Sequence, residues 1–291
     1  MASSERLEKG TAKKMNAKMS KTAVVTGAAS GLGRDIAAGL AAKGYTVYGT
    51  ALSDAEMPSA PSVHLTRVDI TDAAAVQTWA ADIAEKSGGR VDLLISNAGV
   101  LTPGPLEALP LDEVRREFEV NTFAPLTVVN ALLPQLRESR GRIVQISSIS
   151  AVFPMPFNAP SAASKAAAEA LMVAYRAELH SFGIDVTIIQ PGSMLTGGPA
   201  KSAALVSKLS EAFTPEQQAL YGDGFAKFAA GFNSGQASGM PSEVAAAQVI
   251  EIAEQQPAAS VATIGDDAAR IAHAIRNSTP EQLDAMRVSL I

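Results

Sequence analysis

A short apolar run, Ala23-Val24-Val25, ends in a glycine-rich turn, Thr26-Gly27-Ala28-Ala29-Ser30-Gly31-Leu32-Gly33, that leads into a helix-forming stretch from Ile36 to Ala42. Strand, tight turn and helix form a unit that recurs along the chain, and this recurrence limits the fold more than any other feature. After Lys43-Gly44, Thr46 to Gly49 reads as a second strand, and Val63 to Val68, closing at Asp69, reads as a third. Thr71-Asp72 starts the next helix. Val91 to Ile95, apolar but for Asp92, reads as a strand of the kind required by parallel sheets covered on both faces. A helical stretch from about Leu111 to Glu138 precedes a strand at Arg142 to Ser147 and a Pro-rich loop at Phe153 to Pro160. Pro160 opens a long helix to about Ser181, which Gly183 ends. Ile184 to Gln190 is a further strand, closed by Pro191-Gly192. From Gly197 to Met240 the pattern dissolves into glycine, serine and phenylalanine; a helix at Ser242 to Glu254, a strand near Val261 to Ile264 and two short helices follow. The alternation predicts an α/β fold: one doubly wound parallel sheet with helices on both faces, a single domain over residues 21–291.

Composition removes several function classes. Net charge is −5 and no block of lysine and arginine forms a phosphate-tracking stripe, which argues against nucleic acid as a partner. Cysteine is absent, so disulfides, thiolate metal sites and a cysteine nucleophile are excluded. The histidines, His64, His180 and His273, are scattered, and no metal site is expected. No run of about 18 apolar residues is present to span a bilayer. Residues 1–20 are polar and lysine-rich, hold Glu5 and Glu8, and lack the apolar core of a secretory signal. They read as a disordered extension, with Met15 and Met19 as alternative starts, and the expected compartment is the cytoplasm.

Gly141-Arg142-Ile143-Val144-Gln145-Ile146-Ser147-Ser148 followed by Ala159-Pro160-Ser161-Ala162-Ala163-Ser164-Lys165 resembles the catalytic core of the short-chain dehydrogenase/reductase family. The glycine turn has that family's spacing, and Asp69, Asn97-Ala98-Gly99, Asn121, Pro191-Gly192 and Thr196 match its other landmarks in order. The resemblance runs from about Thr22 to the C-terminus and implies a Rossmann-like domain that binds NAD or NADP. It implies cofactor contacts from Thr26, Gly27, Ser30, Gly31, Leu32, Gly33, Thr50, Asp69, Ile70, Asn97, Ala98, Gly99, Lys165, Pro191, Gly192 and Thr196. A looser likeness of Tyr221 to Phe228, Ser242 to Ala245 and Thr263 to Ala268 points to the steroid and retinol dehydrogenase branch. A small hydrophobic alcohol or ketone is the implied substrate, held by Ser148, Phe153, Met155, Phe157, Met194, Tyr221 and Phe225 under a lid at about 197–240. The aromatic residues could equally pack the lid onto the body.

In that family a serine, a tyrosine thirteen positions later and a lysine four beyond it act together. Here Ser148 and Lys165 keep the spacing, but Ser161 stands at the tyrosine position. The resemblance makes Asn121, Ser148, Ser161 and Lys165 the catalytic candidates. Serine is a far weaker acid than a phenol, and its oxygen falls roughly 4 Å short of the phenol's. Three readings follow: an altered or impaired oxidoreductase using a water relay, a cofactor-binding protein with a regulatory or scaffold role, or a Tyr-to-Ser variant made to trap a complex. Thr50, Ala51 and Leu52 stand where NAD-preferring relatives place an acid, so NADP is expected over NAD, with Ser30, Arg34, Thr50 and Ser53 as phosphate contacts. The apolar helices near Thr122 to Glu138 and Pro160 to Ser181 predict a homodimer or homotetramer.

Overall fold

The computed structural model describes residues 20–53, 62–195 and 199–291. Among these, seven strands form one parallel sheet: β1 (Thr22–Val25), β2 (Thr46–Ala51), β3 (Val63–Arg67), β4 (Leu93–Ser96), β5 (Arg142–Ile146), β6 (Asp185–Pro191) and β9 (Val261–Ile264), in the order β3-β2-β1-β4-β5-β6-β9. Successive side chains of a strand face opposite ways, so an uninterrupted apolar strand feeds two cores. In β1, Val24 enters the core beneath α2 (Ala73–Ser87), α4 (Ala124–Ser139) and α5 (Ala159–Leu179), with Trp79, Leu132 and Met172. Its neighbours Ala23 and Val25 enter the other, beneath α1 (Gly31–Ala42) and α8 (Ser242–Glu254), with Ile36, Leu40 and Val249. The expected doubly wound sheet is thus the observed one. Strand order reverses direction between β1 and β4, so the loops that follow them diverge and leave a crevice at the strands' C-terminal ends.

Asp72 caps α2 by accepting from the N–H groups of Ala74 and Ala75 (2.9 and 3.1 Å), as its position ahead of the helix predicts. Two regions depart from the sequence reading. The helical stretch read from about Leu111 to Glu138 is interrupted: it is α3 (Leu111–Phe118), a π-helical turn (Glu119–Phe123) and then α4. Pro125 has no N–H to offer the carbonyl of Asn121 four residues earlier, so a regular helix cannot continue there. The segment from Gly197 to Met240, where the pattern dissolves, holds two helices, α6 (Pro199–Glu211) and α7 (Pro215–Ala237), the second inside a capping box between Thr214 and Gln217. A two-residue pair, β7 (Met194–Leu195) and β8 (Met240–Pro241), closes the base of this lid.

The chain ends in α9 (Asp266–Asn277) and α10 (Pro280–Val288). Arg287 of α10 lies 4.7 Å over the Phe153 ring and donates to the Pro154 carbonyl (3.0 Å). Among the described residues no helix is long and apolar enough to cross a membrane. The expected N-terminal extension falls almost wholly on residues outside the described ones, as does Thr196.

Candidate active site

The glycine turn is held from below. Thr26, almost fully buried, accepts at Oγ1 from the N–H groups of Asn97 (2.9 Å) and Ala98 (3.0 Å), and Asn97 Nδ2 donates to the Thr26 carbonyl (3.0 Å). These bonds lock the end of β1 to the end of β4 across the crevice. Gly27 and Gly31 have φ of +66° and +52°, and a Cβ on Gly33 would lie 2.2 Å from the Gly27 carbonyl oxygen. Glycine is therefore demanded twice by backbone conformation and once by helix–turn contact. Ser30 precedes α1 without a side-chain cap, so the first-turn N–H groups of Gly31, Leu32 and Gly33 point out of an uncapped helix N-terminus. Such an end suits a pyrophosphate. On this observation the residues fit a dinucleotide.

Thr50 supports the glycine turn from the end of β2. Its hydroxyl accepts from the Gly27 N–H (2.9 Å), its carbonyl accepts from the Ala28 N–H (2.9 Å), and the residue is buried. It braces the turn. Ser30 and Arg34 are exposed, and Leu52 is 65% exposed beyond the end of β2. Asp69, at the end of β3, is exposed and accepts from the N–H and hydroxyl of Thr71 (2.9 and 2.7 Å), which hold its carboxyl below the usual range; Ile70 is buried beside it. At the end of β6, Gly192 passes against Asp267, where a Cβ would overlap the carboxylate at 2.0 Å, and Ser193 N–H donates to that carboxylate (2.7 Å). Asp267 thus fixes the Pro191-Gly192 segment, a role that sequence reasoning did not assign.

Asn121, Ser161 and Lys165 come together where α3, the π turn and α5 meet. The Asn121 carboxamide exchanges two 2.9 Å bonds with the backbone of Val100, and its Nδ2 donates to Ser164 Oγ (3.0 Å). Thr122 Oγ1 donates to the Ser164 carbonyl (2.8 Å). Lys165 Nζ donates to the Ile146 carbonyl (3.2 Å), and a Cβ on Gly99 would stand only 3.1 Å from both this Nζ and Asn121 Oδ1. Glycine at position 99 lets the lysine pass. Ser148 caps the 3-10 turn Ile149–Ala151, on which α5 packs, and its Oγ accepts from the N–H (3.1 Å) and the hydroxyl (2.9 Å) of Ser150. With both acceptor sites filled, Ser148 can only donate onward, as a group meeting a substrate oxygen must.

One residue of this cluster escaped the sequence reading. Glu117 is fully buried, accepts from the Thr102 N–H (3.0 Å), and lies 3.4 Å from Asn121 Nδ2. Burial pushes its carboxyl up to about 7, opposed by the Thr102 N–H, the Ser161 hydroxyl and the Lys165 ammonium. Burial likewise pushes Lys165 down to about 8, against the pull of Glu117 and Glu169. The available signal was spacing, because an acid four residues before Asn121 shares its helix face.

The apolar candidates divide. Phe225 is 1% exposed inside an aromatic stack with Phe157, Phe213 and Phe228, with ring centroids 5.3 to 6.0 Å apart. It packs α7 against the loop at Phe157, and Phe153 is buried under Arg287. Tyr221 donates its hydroxyl to Glu107, which ties α7 to the loop before α3. Met155, Phe157 and Met194 remain half-buried around the loop and lid base. A surface groove of about 660 Å³ between α1 and α8, lined by Gly39, Lys43, Glu243, Ile250 and Glu254, contains none of these residues.

Residues 21–204 match the short chain dehydrogenase family. The chain belongs to that family. It is 34% identical over 242 residues to the NADPH-dependent 3-dehydrocapnine reductase of Ornithobacterium rhinotracheale, covering 79% of this chain and 82% of that protein. It is 37% identical over 175 residues to the 3-ketodihydrosphingosine reductase of Bacteroides thetaiotaomicron, covering 60% of this chain and 64% of that protein. Its fold superposes on a short chain dehydrogenase from Burkholderia cenocepacia in complex with NADP, with a TM-score of 0.72, 26% identity and coverage of 94% and 98% of the two chains. As a short-chain dehydrogenase, the protein has the fold and lineage of the NAD(P)-dependent oxidoreductases.

Proposed function

We propose that this short-chain dehydrogenase is an NADPH-dependent reductase of a hydrophobic ketone whose proton delivery no longer runs through a phenol. The observation that carries this reading is the meeting of an uncapped α1 N-terminus with a buried Asn121, Ser161 and Lys165 cluster at the same end of the sheet. When bound, the cofactor supplies or accepts the hydride. Gly31, Leu32 and Gly33 would hold its pyrophosphate, Asp69 its adenine, Lys165 its nicotinamide ribose, and Pro191-Gly192 with Thr196 its nicotinamide end. Ser148 would donate to the carbonyl oxygen and orient it, while Ser161, in place of the phenol, would hand on the proton.

NADP is favoured over NAD because no acid ends β2 to repel a 2′-phosphate, and Arg34 stands exposed on the first turn of α1 with Nε donating to Asp35 (2.8 Å). An apolar ketone is favoured by Met155, Phe157 and Met194. Relatives named for 3-dehydrocapnine and 3-ketodihydrosphingosine suit the same class, and for this chain we favour a 3-keto compound with an apolar tail over a steroid. A fluorescence titration with NADPH and NADH, followed by turnover of long-chain 3-keto amines and steroid ketones, tests the reading. Tighter NADH binding would remove the cofactor preference, and turnover confined to steroids would remove the substrate class.

The missing phenol itself favours a second reading, a cofactor-binding subunit without turnover, which tight NADPH binding with no reduction of any ketone would support. Assembly into a homodimer or homotetramer rests on apolar side chains left exposed on or beside α4 and α5, Phe123 (48%), Val173 (51%) and Phe182 (47%). A light-scattering mass near the 30.0 kDa of one chain would refute it.

A further inference from the structure

We infer that Glu117 is the proton reservoir of this site and recharges the substrate-facing proton path through the hydroxyl of Ser161. The inference rests on the reductase reading above and on a geometry that reading does not use. A carboxyl with no solvent exposure is costly to keep ionised, and proteins retain one only where it is paired or holds its proton. Glu117 is anchored at Oε2 by the Thr102 N–H, while the Asn121 carboxamide stands 3.4 Å from Oε1. Ser161 stands on α5, which packs against the helix that carries Glu117, and its hydroxyl pulls the titration of that carboxyl down. The acid therefore sits behind the one position where the expected proton donor is lacking.

The surroundings decide what the carboxyl can do. From α5 the charged group facing it is Lys165, itself buried and followed along that helix by Glu169, which accepts from Ser147 Oγ (2.5 Å) and Gln190 Nε2 (3.0 Å). From the loop after β4, residues 97–103 present no titratable side chain, only the Thr102 N–H. Glu119 on the π turn is exposed. Lys165 thus stands as the sole nearby cation among the described residues, and desolvation outweighs it, so the carboxyl changes protonation near neutrality, the range in which a general acid works best.

The step balances as follows for ketone reduction. As hydride from the reduced nicotinamide bonds to the carbonyl carbon, the C=O π pair moves onto oxygen. That oxygen takes a proton from a water spanning the roughly 4 Å by which serine falls short of a phenol. The water takes the Ser161 proton, and Ser161 Oγ takes the Glu117 proton. Glu117 is left as a carboxylate and is reprotonated back along Ser161 and the same water once product has left, before the next turnover. Since it acts through Ser161, Glu117 is a positioning and proton-supplying residue, and the substrate never touches it.

The first test needs no cofactor. In infrared difference titration, the protein alone should show one buried protonated carboxyl that disappears with a midpoint near pH 7 and is missing from Glu117→Gln. Turnover with NADPH and a long-chain 3-keto amine should then fall as pH rises through about 7 in the wild type. Glu117→Gln should lower kcat by about 10-fold or more and lose that limb, with NADPH affinity changed less than 2-fold. Should Glu117→Gln not fold, Ser161→Ala serves: it should keep the infrared band, lose the limb and lower kcat comparably. Where both variants fold, their effects should not add. A carboxyl already ionised at pH 5, or an unchanged pH profile in a folded Glu117→Gln that still turns over, overturns the inference and leaves the reductase reading standing. NADPH binding with no turnover of any ketone overturns both.

Discussion

Replacing Ser161 with tyrosine probes whether Asn121, Ser148 and Lys165 stand in register for a phenol. Lys165 is already pinned 3.2 Å from the Ile146 carbonyl, Asn121 is clamped to Val100 and Ser164, and Ser148 has its acceptor sites filled and its proton available. Each would work with a phenol as it stands. The ring advances the donor by roughly 4 Å and exchanges an alcohol for a group whose acidity a nearby ammonium can raise. A positioned general acid contributes about 10² to 10⁴ in rate, or about 3 to 5.5 kcal/mol of transition-state stabilisation. Because a Glu117 relay already supplies part of this, the gain expected for Ser161→Tyr is about 10² to 10³ in kcat. Steady-state oxidation of NADPH with saturating long-chain ketone, read by absorbance for both proteins, measures it. NADPH affinity should change little, and the fall in rate above about pH 7 due to Glu117 should weaken, since the phenol bypasses it. A folded, NADPH-binding Ser161→Tyr protein with unchanged or lower kcat would refute the reasoning and show a site rebuilt around serine.

Thr26→Val removes the acceptor for two buried N–H groups at Asn97 and Ala98, and should lower stability by about 2 to 4 kcal/mol in chemical denaturation. Gly33→Ala places a methyl 2.2 Å from the Gly27 carbonyl, so NADPH affinity should fall at least 10-fold and thermal stability should drop with it, by calorimetry. Stability should also depend on pH through Glu117. Its folded-state value near 7 lies above the 4.5 of an unperturbed glutamate, so its contribution is full below about 4.5 and is lost as pH rises through 7. At about 1.4 kcal/mol per unit the loss is at most about 3 kcal/mol. Lys165, shifted down to about 8, acts in the opposite sense, adding stability as pH rises above 8, so denaturant titrations between pH 4.5 and 7 isolate the glutamate. Glu117→Gln should flatten that slope.

The sheet was legible because parallel strands buried on both faces leave short apolar runs, as Ala23 to Val25 in β1 and Leu93 to Ile95 in β4 do. The glycine turn was legible because backbone approach leaves no choice of residue. What escaped lies in the competition between local and tertiary terms. Gly222, Gly224, Gly231 and Gly235 each disfavour a helix by about 1 kcal/mol, yet α7 forms because Phe225, Phe228 and Phe232 stack along it and against Phe157. Pro215 and the Thr214 to Gln217 box were the local signals for it. Thr50 sits at a position that suggests a ligand contact, but a hydroxyl beside an unpaired Gly27 N–H serves the turn first. Glu117 was hidden because a single sequence does not show which face of α3 is buried, and a glutamate between Arg116 and Phe118 passes for a surface charge.

The central claim is that hydride still crosses this site without the phenol. The direct measurement is a single turnover with excess protein, NADPH deuterated at the reactive nicotinamide carbon, and a long-chain 3-keto amine, with the product alcohol analysed by mass spectrometry. One deuterium is expected at the former carbonyl carbon, formed at a rate that falls as pH rises through about 7. Intact ketone after many hours, with NADPH demonstrably bound, would contradict it.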